Sequence, residues 1–115
     1  MIKIGSCTAC QGQNLDKFVQ PVILSVLKKQ GGLNGFQMVK AMEEYETFKS
    51  ATPDPSGIYR YLKAMAEKNL LDQKKTEDGK CIYFITDEGL HCLENWKETI
   101  SDYVRKIQVL QDQIQ

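Results

Sequence analysis

Four side chains that can donate hydrogen bonds to a phosphate or a base edge stand close together in this sequence: Ser56, Tyr59, Arg60 and Lys63. On a helix turning about 100° per residue, Ser56, Arg60, Lys63 and Glu67 share one side and Tyr59 lies at its boundary. Ile58, Leu62 and Met65 form the opposite, apolar stripe, with Tyr61 and Ala66 at its flanks. Arginine can pair bidentately with guanine, whereas lysine, serine and tyrosine more often hold phosphates. Lys74, Lys75 and Lys80 follow, around a predicted hairpin tip from which they would reach a polyanion beside the helix. A solvated helix face and a charged, solubilising hairpin would have the same composition. The pattern carries chemistry only if the basic residues share one surface.

A second chemical signal lies near the start. Cys7-Thr8-Ala9-Cys10 has the spacing by which two thiolates hold one tetrahedral metal, zinc or iron. Alone it is half a site. Cys92 could complete it if an N-terminal arm folds over the last helix, whereas His91 points about 100° away from Cys92 on that helix. Cys81 reads as an ordinary strand residue. Three readings of the arm stay open: a metal site, a Cys7–Cys10 redox switch, and an unstructured segment with two idle thiols.

The elements that must position these residues follow from punctuation. Asn14 can cap a first helix that ends at Gly31-Gly32, with Pro21 either kinking it or standing as its first residue. Val22, Ile23, Val26 and Leu27 form its apolar stripe. Asn34 and Gln37 make a capping-box pattern for a second helix, whose apolar residues are Phe36, Met38, Val39, Met42 and Tyr45. Asp54 and Pro55 suit the cap and first position of a third helix, to about Lys68. The period then changes to two: Leu70 to Lys75 and Cys81 to Thr86 read as strands around Thr76-Glu77-Asp78-Gly79. Thr86 caps a last helix with Asp87 and Glu88 at its positive end. Helix, turn, helix and basic hairpin is the plan of a winged helix: mainly α with one β-hairpin, plus a long C-terminal helix.

That last helix carries Leu93, Trp96, Ile100, Tyr103, Ile107, Leu110 and Ile114, separated alternately by three and four residues. This is a heptad seam. A helix over 87–115 would be about 40 Å long, more than a domain of this size can cover, so a second copy of the chain is the simplest cover. Packing of the stripe wholly on the chain's own first helix is the alternative. Trp96 and Tyr103 could also line an interfacial pocket for a flat small molecule.

Length and composition narrow the function classes. The chain has 115 residues, room for one domain, with 42% hydrophobic and 26% charged residues, ordinary for a globular protein. Its formal net charge is zero, which excludes a polybasic nucleic-acid glue but allows a neutral body with one basic face. Residues 56–80 hold such a local excess: Arg60, Lys63, Lys68, Lys74, Lys75 and Lys80 against Glu67, Asp72, Glu77 and Asp78. There is no export signal and no membrane-length apolar run, so the expectation is a cytoplasmic protein without a membrane partner. One histidine, no phosphate-binding glycine loop and no nucleophile elbow argue against an enzyme.

Residues 21–97 resemble the PadR-type winged-helix transcriptional regulators. The resemblance is carried by Pro21-Val22-Ile23-Leu24-Ser25-Val26-Leu27, by Leu33-Asn34-Gly35-Phe36 and most strongly by Pro55-Ser56-Gly57-Ile58-Tyr59-Arg60-Tyr61-Leu62. Lys68-Asn69-Leu70-Leu71 and Lys80-Cys81-Ile82-Tyr83-Phe84-Ile85-Thr86-Asp87-Glu88-Gly89 continue it. It departs at Asn34-Gly35-Phe36, where many relatives have His-Gly-Tyr, and in the added N-terminal cysteines. The resemblance implies a homodimeric regulator of double-stranded DNA, usually a repressor, with the third helix in the major groove and the wing on the backbone. It also implies that the last helix dimerises together with the first. The expected organisation is an arm over 1–13, a winged-helix domain over 14–86 and a dimerisation helix over 87–115. A small ligand, metal or redox signal is a candidate effector. The competing expectation is a winged-helix protein–protein module that never touches DNA.

Overall fold

The structure is a computed structural model in which residues 18–49 and 54–115 are described. Helix α1, Val19–Gln30, is its centre. Val19, Pro21, Val22, Ile23, Leu24, Val26 and Leu27 are all buried, so the helix is covered on most of its circumference. It packs on the second, fourth and fifth helices and on the second strand. Among the described residues α1 begins at Val19, not at Pro21, which sits inside its first turn. There the missing N–H has no intrahelical partner to lose, so no kink is needed. Asn14, the expected cap, lies outside the described residues. Gly31, at φ 81°, closes the helix, its N–H donating to the Leu27 carbonyl at 3.0 Å.

Helix α2, Gly35–Met42, opens with the expected reciprocal cap. The Gln37 N–H donates to Asn34 Oδ1 at 2.8 Å, and the Asn34 N–H donates to Gln37 Oε1 at 2.9 Å. Met38 and Met42 enter the core, but Phe36 does not: it is 65% exposed. In a helix this short, burying the face that carries Gly35, Met38 and Met42 turns Phe36 outward. A one-turn helix, α3 (Glu46–Lys49), was not foreseen; through it Phe48 plugs the core.

Helix α4, Pro55–Glu67, has proline at its first position as expected. Asp54 makes no side-chain cap, although its carbonyl accepts the Ile58 N–H at 3.1 Å. Ile58, Leu62 and Met65 are buried. Asn69 ends the helix in the left-handed region, at φ 64°. The Leu70 N–H reaches the Met65 carbonyl at 3.0 Å and the Asn69 N–H reaches Ala66 at 3.1 Å, the paired bonds of a Schellman stop.

Strands β1 (Leu71–Lys75) and β2 (Cys81–Ile85) form the antiparallel wing, with Leu71 opposite Ile85 and Lys75 opposite Cys81. Gly79 takes φ 85° in the turn, where the Thr76 N–H donates to the Lys80 carbonyl at 2.8 Å. The other edge of β2 is engaged too: Tyr83 and Leu33 exchange backbone hydrogen bonds of 2.8 and 3.2 Å. This bridge ties the wing to the turn between α1 and α2.

Helix α5 spans Asp87–Gln113. Thr86 Oγ1 accepts the Gly89 N–H at 3.0 Å and donates to the carbonyls of Asn69 and Leu70. Its first turns belong to the core: Gly89 is packed against the Leu70 carbonyl, Ile85 and Leu24, and Leu93 is buried. Trp96 Nε1 donates to Gln20 Oε1 at 2.9 Å, pinning α5 to α1. Beyond Ile100 the helix leaves the body, giving the molecule extents of 57 × 29 × 22 Å.

Candidate nucleic-acid interface

The core stripe of α4 fixes the direction of its other face. Because Ile58, Leu62 and Met65 point inward, Ser56, Arg60, Lys63 and Glu67 all stand in solvent, as the helical spacing requires. Tyr59 is half exposed at the boundary, its ring against Gly35, where any Cβ would collide with it. Glycine at 35 therefore allows α2 and α4 to approach closely at the end that presents Tyr59. No salt bridge among the described residues ties Arg60 or Lys63 down.

The wing flanks this face. One cleft, of about 490 Å³, has Tyr59 and Lys80 on its walls together with Phe36 of α2 and its cap Asn34. A second, of about 550 Å³, has Tyr59 and Lys63 facing Asp72 and Gln73 of β1. The wing lysines do not all point one way. Gln73, opposite Tyr83, and Lys75, opposite Cys81, lie on one face of the hairpin, and Gln73 Nε2 donates to Cys81 Sγ at 3.3 Å across it. Adjacent strand residues alternate, so Lys74 lies on the other face. Its ammonium sits 5.6 Å from the centroid of the Phe84 ring, the diagonal neighbour. The structure thus brings Tyr59, Lys63 and Lys80 to shared clefts, puts Lys75 on the Tyr83 side of the hairpin, and turns Lys74 away.

Two titrating groups mark the edges of the site. The Thr76 hydroxyl donates to Asp78 at the wing tip and holds its carboxyl below the usual range, so that acid is ionised beside Lys80. Burial pushes the Tyr83 phenol up, which keeps it neutral at the base of the wing.

No family model matches the chain. It is 32% identical over 79 residues to the transcriptional regulator YqjI of Escherichia coli (strain K12), covering 69% of this chain and 37% of that protein. The chain therefore spans little more than a third of the length of that curated relative. Among solved structures, a PadR family transcription regulator from Clostridium difficile R20291 superimposes with a TM-score of 0.61 at 25% identity, over 78% of this chain and 93% of that one. Bacillus subtilis PadR in complex with operator DNA matches with a TM-score of 0.61 at 27% identity, over 70% of this chain and 46% of that one. The chain has the winged-helix fold of the PadR family regulators. These relatives are regulators and not enzymes.

On this winged-helix fold the expected seam divides into two parts. Leu93, Trp96 and Ile100 are buried or half-buried against the chain's own body. Tyr103, Ile107, Leu110 and Ile114 are 39%, 47%, 53% and 74% exposed. Between α1 and α5 runs an open, largely apolar groove of about 740 Å³. Phe18 stands edge-on to both Trp96 and Tyr103 in it, with centroids 6.3 and 5.9 Å away. Its polar floor was not legible in the sequence: Ser25 Oγ and the Tyr45 hydroxyl are hydrogen-bonded at 2.9 Å, and the Lys29 ammonium lies 5.5 Å from the Tyr45 ring.

Cys7 and Cys10 lie outside the described residues. Cys92 is a half-buried free thiol packed against the core, and His91 points to solvent. Among the described residues no three histidine, cysteine or carboxylate side chains gather as metal ligands. Among them, too, no helix is long and apolar enough to cross a membrane.

Proposed function

We propose that this chain is a DNA-binding transcriptional regulator that works as a homodimer, most simply as a repressor. The observation that carries the reading is the outward face of α4. Its hydrogen-bonding residues are exposed, without salt bridges among the described residues, and flanked by the wing, on the fold that Bacillus subtilis PadR uses with operator DNA. In this reading α4 enters the major groove, Arg60 meets a base edge, and Ser56, Tyr59 and Lys63 hold phosphates. Lys75 and Lys80 follow the flanking backbone, while Lys74 reaches it only by curling around the hairpin edge. The exposed half of α5 pairs with its copy, so that two α4 helices read half-sites about one turn apart. A flat small molecule in the α1–α5 groove would act by changing that separation.

Duplex DNA from upstream of the protein's own coding sequence, titrated across salt concentrations, tests this. Phosphate contacts release counterions, so the logarithm of affinity falls linearly with the logarithm of salt. Arg60→Ala should lose about 1–3 kcal/mol and relax base preference, and Lys63→Ala should weaken all sequences alike. A wild-type protein with no salt-dependent DNA binding would leave the protein–protein module as the better reading.

A further inference from the structure

The exposed ring of Phe36 is not used by the interface as drawn so far. It is an apolar side chain, 65% exposed, on a helix whose start is locked by the Asn34–Gln37 cap. The Lys40 ammonium lies 5.6 Å from the ring centroid. Phe36 lines the cleft of about 490 Å³ that separates α2 from the wing. Tyr59 and Lys80 line the same cleft, and none of its lining side chains is acidic. Asp78, the neighbouring acid at the tip, is engaged by the Thr76 hydroxyl. The cleft therefore combines an exposed ring, a phenol and an ammonium, with a further ammonium over the ring. An apolar plate beside two cationic groups complements a deoxyribose next to its phosphate.

We propose that this cleft seats one strand of the DNA backbone. The Phe36 ring packs on a sugar, while the Lys80 ammonium and the Tyr59 hydroxyl donate to the adjoining phosphate. The seat would lie beside the groove entered by α4, because Tyr59 belongs to both surfaces. This inference rests on the DNA-binding reading and adds to it a contact that is neither ionic nor base-specific. Gly35 is what keeps the seat open, since it lets the Tyr59 ring lie directly on the start of α2.

The test uses the full chain with two duplexes of equal length, one from its upstream region and one scrambled, followed by fluorescence anisotropy at several salt concentrations. Phe36→Ala should weaken both by about fivefold to tenfold, as expected for losing a few tens of Å² of apolar contact. Its salt slope should be unchanged, because the ring carries no charge. Lys80→Ala should lower the slope by about one. Phe36→Tyr keeps the ring and should bind like wild type. Thermal melting should be the same for Phe36→Ala and wild type, since the ring is outside the core. If Phe36→Ala binds like wild type, or loses affinity for one duplex only, the proposed seat is wrong. That result, beside a wild type that binds and an Arg60→Ala that weakens, overturns this inference alone. A wild type that binds neither duplex overturns the DNA reading and the seat with it.

Discussion

Replacing Ile107 by aspartate should convert a dimer into a folded monomer. Ile107 lies past the point where α5 leaves the body and is 47% exposed in the single chain. Full burial of such a side chain is worth roughly 1.5–3 kcal/mol, so covering the exposed half contributes about 1 kcal/mol. A two-fold seam counts each residue twice, giving about 2 kcal/mol from the lost contact. Each aspartate left without a partner in the seam costs at least about 1 kcal/mol more. Together these approach 4 kcal/mol, or about a thousandfold in the dimer dissociation constant. Ile100 is a poorer choice, because it is already half-buried against the chain's own body and its loss would damage the fold as well. Sedimentation equilibrium at micromolar concentrations reads the association state, and circular dichroism checks that the helices persist. A monomeric wild type, or an Ile107→Asp variant that still sediments as wild type does, refutes the seam.

Local chemistry was legible because it acts over a few residues. The Asn34–Gln37 box, Asp78-Gly79 in the wing turn and the Thr86 cap satisfy backbone groups within one turn, and proline at the start of α4 removes an N–H that would have no partner, so these residue types report directly on geometry. What depended on tertiary company was not. Eight residues of α2 hold two plausible apolar faces, and only packing against α1 and α4 selects Met38 and Met42 over Phe36. The Leu33–Tyr83 bridge is a single pair with no strand-length pattern around it. The opposite facing of Lys74 and Lys75 follows from strand alternation once the register is known, yet a count of basic residues treats them as one patch. The heptad spacing located the stripe on α5 but not its division: Leu93 and Trp96 serve the chain's own core, and only the later members remain uncovered.

Two further substitutions separate folding from binding. Thr86→Ala removes the acceptor for the Gly89 N–H and the donor to the Asn69 and Leu70 carbonyls, so urea denaturation should show a loss of about 1–2 kcal/mol. An unchanged midpoint would mean that water replaces all three bonds. Gly35→Ala should do the reverse, leaving stability nearly intact while weakening DNA binding. The new Cβ collides with the Tyr59 ring, not with backbone, and that ring is 48% exposed and free to swing outward. Alanine is also the better helix former, by about 1 kcal/mol in a helix interior and less at this first position, which offsets part of any lost packing. The displaced phenol, however, can no longer stand between α2 and the wing. Affinity should therefore fall on all sequences alike, as expected for a phosphate contact, and Tyr59→Phe should lose affinity in the same uniform way without the steric change. Wild-type affinity in Gly35→Ala, measured beside an unchanged melting curve, would show that the position of Tyr59 does not matter to binding.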